Sequence, residues 1–161
     1  MKTASGGRGF ALALICLLLL GLPVLSAGRG RKLTLAISDQ RTGEIFLQVP
    51  VQKGDELSYG WEHSFEHVAW TEYFTVQSDG SLNLTRIAVG GFGAGIPAEM
   101  DCTYRYEDGL IYMENIHGSV FPEICWIHSQ TQMQWIALDG KNIIRGSQLP
   151  QRARMRLRIS K

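Results

Sequence analysis

The chain has 161 residues, with 16 Lys and Arg against 15 Asp and Glu, and 45% of its residues are hydrophobic. That length suits one domain, and the apolar share excludes a disordered chain. The near-balanced charge provides no excess that would draw a nucleic acid or a strongly acidic partner.

Residues 1–9 carry Lys2 and Arg8 and no acid, and residues 10–25 are apolar apart from Gly21 and Pro23. Leu25-Ser26-Ala27 then offers small residues at a processing site, so residues 1–27 read as a secretory signal peptide. The apolar run is shorter than the roughly 20 residues of a spanning helix. An uncleaved membrane anchor is the alternative. No cysteine follows the run to carry a lipid. The chain is therefore expected to be exported, and residues 28–161 to form a single β domain. Cys16 would leave with the signal, while Cys102 and Cys125 would reach a compartment that permits disulfides. Their parity allows a bridge; two buried free thiols are the other reading.

Beyond the signal, short runs alternate apolar and polar between turn residues, the pattern of a small antiparallel all-β sandwich or barrel. Predicted strands cover residues 33–37, 44–51, 56–64, 67–77 and 81–89. A glycine-rich loop, 90–97, follows, and further strands cover 102–106, 110–114, 124–128, 133–138, 142–145 and 152–159. Pro50 marks the second strand as an edge. Asp108-Gly109 and Asp139-Gly140 carry the hairpin signal.

Parity assigns the faces of three strands. Leu57, Tyr59, Trp61 and His63 share one face of the third strand. Val68, Trp70, Glu72, Phe74 and Val76 share one face of the fourth, and Leu82, Leu84, Arg86 and Ala88 share one face of the fifth. A three-residue turn, Ser78-Asp79-Gly80, with Gly80 in the left-handed place, pairs Val76 with Leu82, Phe74 with Leu84 and Glu72 with Arg86. Matching the third strand to the fourth sets His63 opposite Glu72 or one step diagonal to it. An inward row of His63, Glu72 and Arg86 results. It is either a structural cluster whose members satisfy one another or a polar patch that orients a small ligand in a β pocket.

Other constellations carry less. Glu62, His63, Glu66 and His67 invite a metal, but four residues of extended strand span about 13 Å, too far for one ion. No metal or other cofactor is expected. Residues 91–95 do not have the dinucleotide spacing and require a sharp backbone path instead. Ser64 and His63 are adjacent on a strand and point apart, so they form no catalytic pair. Asn83-Leu84-Thr85 matches a glycosylation sequon inside a strand. Arg152, Arg154, Arg156 and Arg158 line one face of the last strand. They read as edge protection, or as a contact for anionic headgroups or a partner protein.

His63-Ser64, then Glu72 ahead of Tyr73-Phe74, then Phe92-Gly93-Ala94-Gly95-Ile96-Pro97 resemble the pattern of the bacterial family catalogued as domain of unknown function 1850. The similarity runs from about residue 33 to 120. The resemblance implies a small protein in the periplasm, or tethered to the outer face of the inner membrane. It also implies a gene placed beside a tripartite transporter of the TAXI type (TRAP class), which imports small organic anions. On this reading His63, Ser64, Glu72, Arg86, Phe92, Gly93, Gly95 and Pro97 are the candidate ligand-binding residues, Arg86 on parity alone. The expected function is a non-enzymatic accessory module that binds a transporter subunit or its organic anion. A small hydrolase or isomerase using His63 and Glu72, or a structural envelope protein, are the alternatives. Membrane contact is expected only through the N-terminal segment or the arginine face.

Overall fold

The computed structural model describes residues 33–93, 95 and 100–161. The signal-type segment and Pro97 lie outside the described residues. Twelve strands follow in order: β1 (Leu33–Asp39), β2 (Ile45–Val51), β3 (Glu56–Glu62), β4 (Ala69–Val76), β5 (Leu82–Val89) and β6 (Thr103–Glu107). They continue with β7 (Leu110–Glu114), β8 (Val120–Phe121), β9 (Glu123–Ile127), β10 (Met133–Leu138), β11 (Lys141–Arg145) and β12 (Arg154–Ser160). A short 3-10 turn, Gly146–Gln148, precedes the last strand.

Among the described residues the strands form two antiparallel sheets and no closed barrel. One has the order β2-β1-β12-β9; the other has the order β11-β10-β3-β4-β5-β7-β6, with β8 paired to β5. The alternation read from the sequence produces the core. Leu35 and Ile37 of β1 and Met155 and Leu157 of β12 meet Leu57, Phe74, Val76, Leu82 and Met113 of the larger sheet, all of them buried. At about 25 cal/mol per Å² of apolar surface removed from water, this interlayer burial is the main stabilising term. Among the described residues no helix is long and apolar enough to cross a membrane.

Turn chemistry behaves as the residue types dictate. Asp108-Gly109 and Asp139-Gly140 both adopt positive φ through the pair, the backbone of a tight hairpin turn. The Ser78-Asp79-Gly80 loop closes with Gly80 at φ 91°, and Gln77 N–H donates to Ser81 C=O at 2.8 Å. Val76–Leu82 and Phe74–Leu84 pair as expected, and β2 is an edge strand.

Two pairings differ. Thr85 is an extra residue on β5, so that Tyr73 faces Arg86 and Glu72 faces Ile87. A bulge of this kind inverts the parity of everything beyond it. Ile87 and Val89 therefore enter the core, and Arg86 turns to the outer face. The bulge is held on both sides: the Thr85 hydroxyl donates to the Tyr73 carbonyl at 3.2 Å, and Ile116 N–H donates to the Thr85 carbonyl. In the β3–β4 hairpin, Trp61 faces Trp70 and Tyr59 faces Glu72. His63 lies past the end of β3, its N–H bonded to Val68 C=O at 2.8 Å, so it is not opposite Glu72.

The arginine strand also differs from its edge assignment. β12 is an inner strand between β1 and β9, and Arg152 precedes it in a turn at φ 63°. Arg154, Arg156 and Arg158 face outward while Met155, Leu157 and Ile159 are buried. Cys102 and Cys125 are free thiols in this structure, Cys102 half-buried and Cys125 exposed, so they are not a doubly buried pair.

Candidate functional site

The β3–β4 hairpin turns through Ser64, Phe65, Glu66 and His67, the last at φ 54°. His63, just before the turn, is held against it, because Glu66 N–H donates to His63 Nδ1 at 3.2 Å. An accepting Nδ1 leaves the ring proton on Nε2. Gly93 and Gly95 of the glycine-rich loop lie against this turn. A Cβ at Gly95 would lie 3.9 Å from His63 Nε2, and one at Gly93 would collide with the Glu66 carboxyl group. Gly95 also sits at φ 79°, where a side chain is strained. The early histidine and the glycine loop, distant in sequence, thus form one corner of the molecule. Ser64 and Phe92 are exposed there, and the Phe92 ring lies 6.3 Å from that of Tyr104.

Trp70 connects this corner to Glu72. Its ring stacks on His63 at 5.9 Å and lies 5.2 Å from Trp61, while its indole N–H donates to Glu72 Oε1 at 3.2 Å. His63 and Glu72 share no hydrogen bond, because each is engaged by its own neighbour.

Arg86 stands apart from both. On the outer face its guanidinium lies 3.8 Å from the Tyr73 ring centre, and Nη2 is 3.4 Å from Glu56 Oε2. The row of three polar groups expected from parity is therefore broken twice, at Arg86 by the bulge at Thr85 and at His63 by the β3–β4 register.

What Glu72 does face is a cleft of about 330 Å³ between the two sheets. Its floor is Glu72 with Tyr59 and Trp61. Its opposite wall is β9, with Trp126 facing in, and its rim is the segment that carries Ser129, Gln132 and Met133. β9 is the terminal strand of its sheet, so the cleft opens at an edge of the sandwich. Among the described residues no Lys, Arg or His lines it. Burial raises the Glu72 carboxyl above the ordinary range, against the smaller opposing effect of the Trp70 N–H. Burial, and after it the Glu72 charge, push the Tyr59 phenol well above its usual value.

Trp126 is positioned by a histidine that the sequence reading left without a role. Trp126 Nε1 donates to His128 Nδ1 at 3.3 Å, and the opposite ring nitrogen of His128 bonds the Gly146 carbonyl at 2.9 Å. Nε2 therefore carries the His128 proton, and burial lowers the pKa of this ring. With its N–H turned to His128, Trp126 lies 5.6 Å, ring to ring, from Tyr59 across the layers. The alternation of Trp126 and His128 on one strand is the sequence signal for this pair; nothing in it pointed to Tyr59 as the partner.

Fold and cleft together define a β-sandwich with one recessed carboxylate set among aromatic rings. The family model described as domain of unknown function, DUF1850, matches residues 57–144, more than half of the chain. The protein belongs to that family. The match spans β3 through most of β11 and so includes Glu72 and Trp126. No curated protein and no solved structure matches the chain.

Proposed function

We propose that this protein is an exported, non-enzymatic binding module that holds a small ligand in the Glu72 cleft and serves a periplasmic transporter. The observation that carries the binding role is the ionisable Glu72 in a solvent-connected cleft with no cationic side chain in the lining. An unpaired, desolvated carboxylate is costly to the fold, so its presence favours a role toward a ligand. A volume of about 330 Å³ falls at the low end of the roughly 300–1,000 Å³ of small-molecule sites. The transporter partnership and the periplasmic or membrane-tethered location rest on the signal-type segment and on the gene company expected of this family.

A hydrolase or isomerase built on His63 and Glu72 is less well supported. A base and its orienting group need hydrogen-bond reach, and here Trp70 intervenes. A purely structural protein has no use for the cleft.

The test is co-purification of the tagged protein from its own host with the products of neighbouring transporter genes. A parallel thermal-shift screen on the purified domain compares Glu72→Gln with the unsubstituted protein. Recovery of a transporter subunit, with a thermal shift that Glu72→Gln abolishes, is expected. Reproducible failure of both arms would overturn the reading.

A further inference from the structure

We propose that the ligand of the Glu72 cleft is a small organic cation, a quaternary or protonated amine, held between the Glu72 carboxylate and the faces of Tyr59, Trp61 and Trp126. The inference rests on the binding role proposed above and specifies the chemistry of what is bound.

Three observations converge. Among the described residues of the lining, Glu72 is the one carboxylate and there is no Lys, Arg or His, so an anion entering the cleft would meet no counter-ion. Arg86, which would have served an anion, lies over Tyr73 on the other side of the larger sheet. Tyr59, Trp61 and Trp126 share the lining with Glu72, and aromatic faces carry the negative quadrupole that attracts cations; boxes of such rings recognise methylated ammonium groups.

The polar edges of two rings are already committed. Trp126 points its N–H at His128, and Trp70, behind the cleft, points its own at Glu72. Trp126 can therefore offer a face without leaving a donor unpaired. The Trp70 bond fixes one carboxylate oxygen and leaves the other for the ligand. A bound cation would supply the counter-charge that offsets the desolvation raising the Glu72 pKa, so binding favours the carboxylate in its ionised form.

The decisive experiment uses three probes of one shape and different charge: choline, the neutral 3,3-dimethylbutan-1-ol, and the anionic 3,3-dimethylbutanoate. Binding is followed by calorimetry and tryptophan fluorescence on the purified domain. Choline should bind at least tenfold more tightly than either isostere. Glu72→Gln should remove that preference, and Trp126→Leu should weaken choline at least tenfold, while Trp126→Phe retains most of the affinity. Melting curves establish that each variant is folded, and Glu72→Gln keeps the Trp70 acceptor.

Preference for the anion or the neutral probe would overturn the cation assignment and leave the binding module standing. Failure of all three probes at millimolar concentration would also overturn it. The module reading itself falls only with loss of transporter co-purification and of every ligand-dependent thermal shift.

Discussion

Trp70 donates its indole N–H to Glu72 from two residues earlier on the same strand and face, at 3.2 Å. The same ring stacks on His63. One side chain therefore separates the two groups that a catalytic reading would join, and it aims the carboxylate into the cleft.

Glu72 burdens the fold as a consequence. Its pKa in the folded protein is raised above the ordinary 4.5, so the folded state holds the proton to higher pH than the unfolded chain does. Stability is then full below the unfolded value and falls as pH rises through the folded one. Glu72→Gln should raise Tm at pH 7 by about 3 °C, with the difference disappearing below pH ~4. Melts from pH 4 to 8 check this; an equal or lower Tm for the variant at pH 7 would contradict it.

His128 has the opposite pH dependence. Its folded pKa is lowered from the ordinary 6.5 by burial, so the unfolded chain takes the proton first. Stability is therefore level above about pH 6.5 and declines below it. His128→Ala leaves the Trp126 N–H without its partner and should cost about 1–3 kcal/mol, with the slope between pH 6.5 and 5 abolished. Urea melts at several pH values would show whether the slope survives.

Arg86 faces solvent chemistry rather than the cleft. Arg86→Ala removes a ring contact and a half-exposed ion pair with Glu56, worth about 1 kcal/mol or less together. Ligand affinity should be unchanged within twofold. A large loss of binding, read by calorimetry, would place the guanidinium in the site and overturn the bulged register.

Gly146 is required by close backbone approach. A Cβ there would collide with the Met133 carbonyl oxygen, which no side-chain rotation relieves. The same turn supplies the carbonyl that holds His128. Gly146→Ala should destabilise by about 2–3 kcal/mol, read by chemical denaturation, and should weaken ligand binding through Trp126.

If the protein is exported as proposed, its mature N-terminus should be Gly28. Intact-mass measurement checks this. A membrane-bound species retaining residues 1–27 would establish the anchored form instead.

Local rules carry much of this architecture in the order of the residues. Alternation places Leu35, Ile37, Leu57, Phe74, Val76 and Leu157 inward, because side chains on a strand point to alternate faces whatever the strand packs against. Asp-Gly pairs turn tightly because both residues tolerate positive φ. Tyr59, Trp61, Trp70 and Glu72 share a face for the same reason of period, and that much of the cleft was legible. The inversion at Thr85 was not: one extra residue leaves the composition of β5 unchanged, and its place depends on Ile116 and Tyr73, which bond it from either side. Nor could parity bring Trp126 to Tyr59. They belong to different sheets, and the contact exists only because the two layers stack with β9 at the open edge beside β3. Side-chain direction is a property of neighbouring residues, whereas the choice between registers and the meeting of layers minimises free energy over the whole core at once.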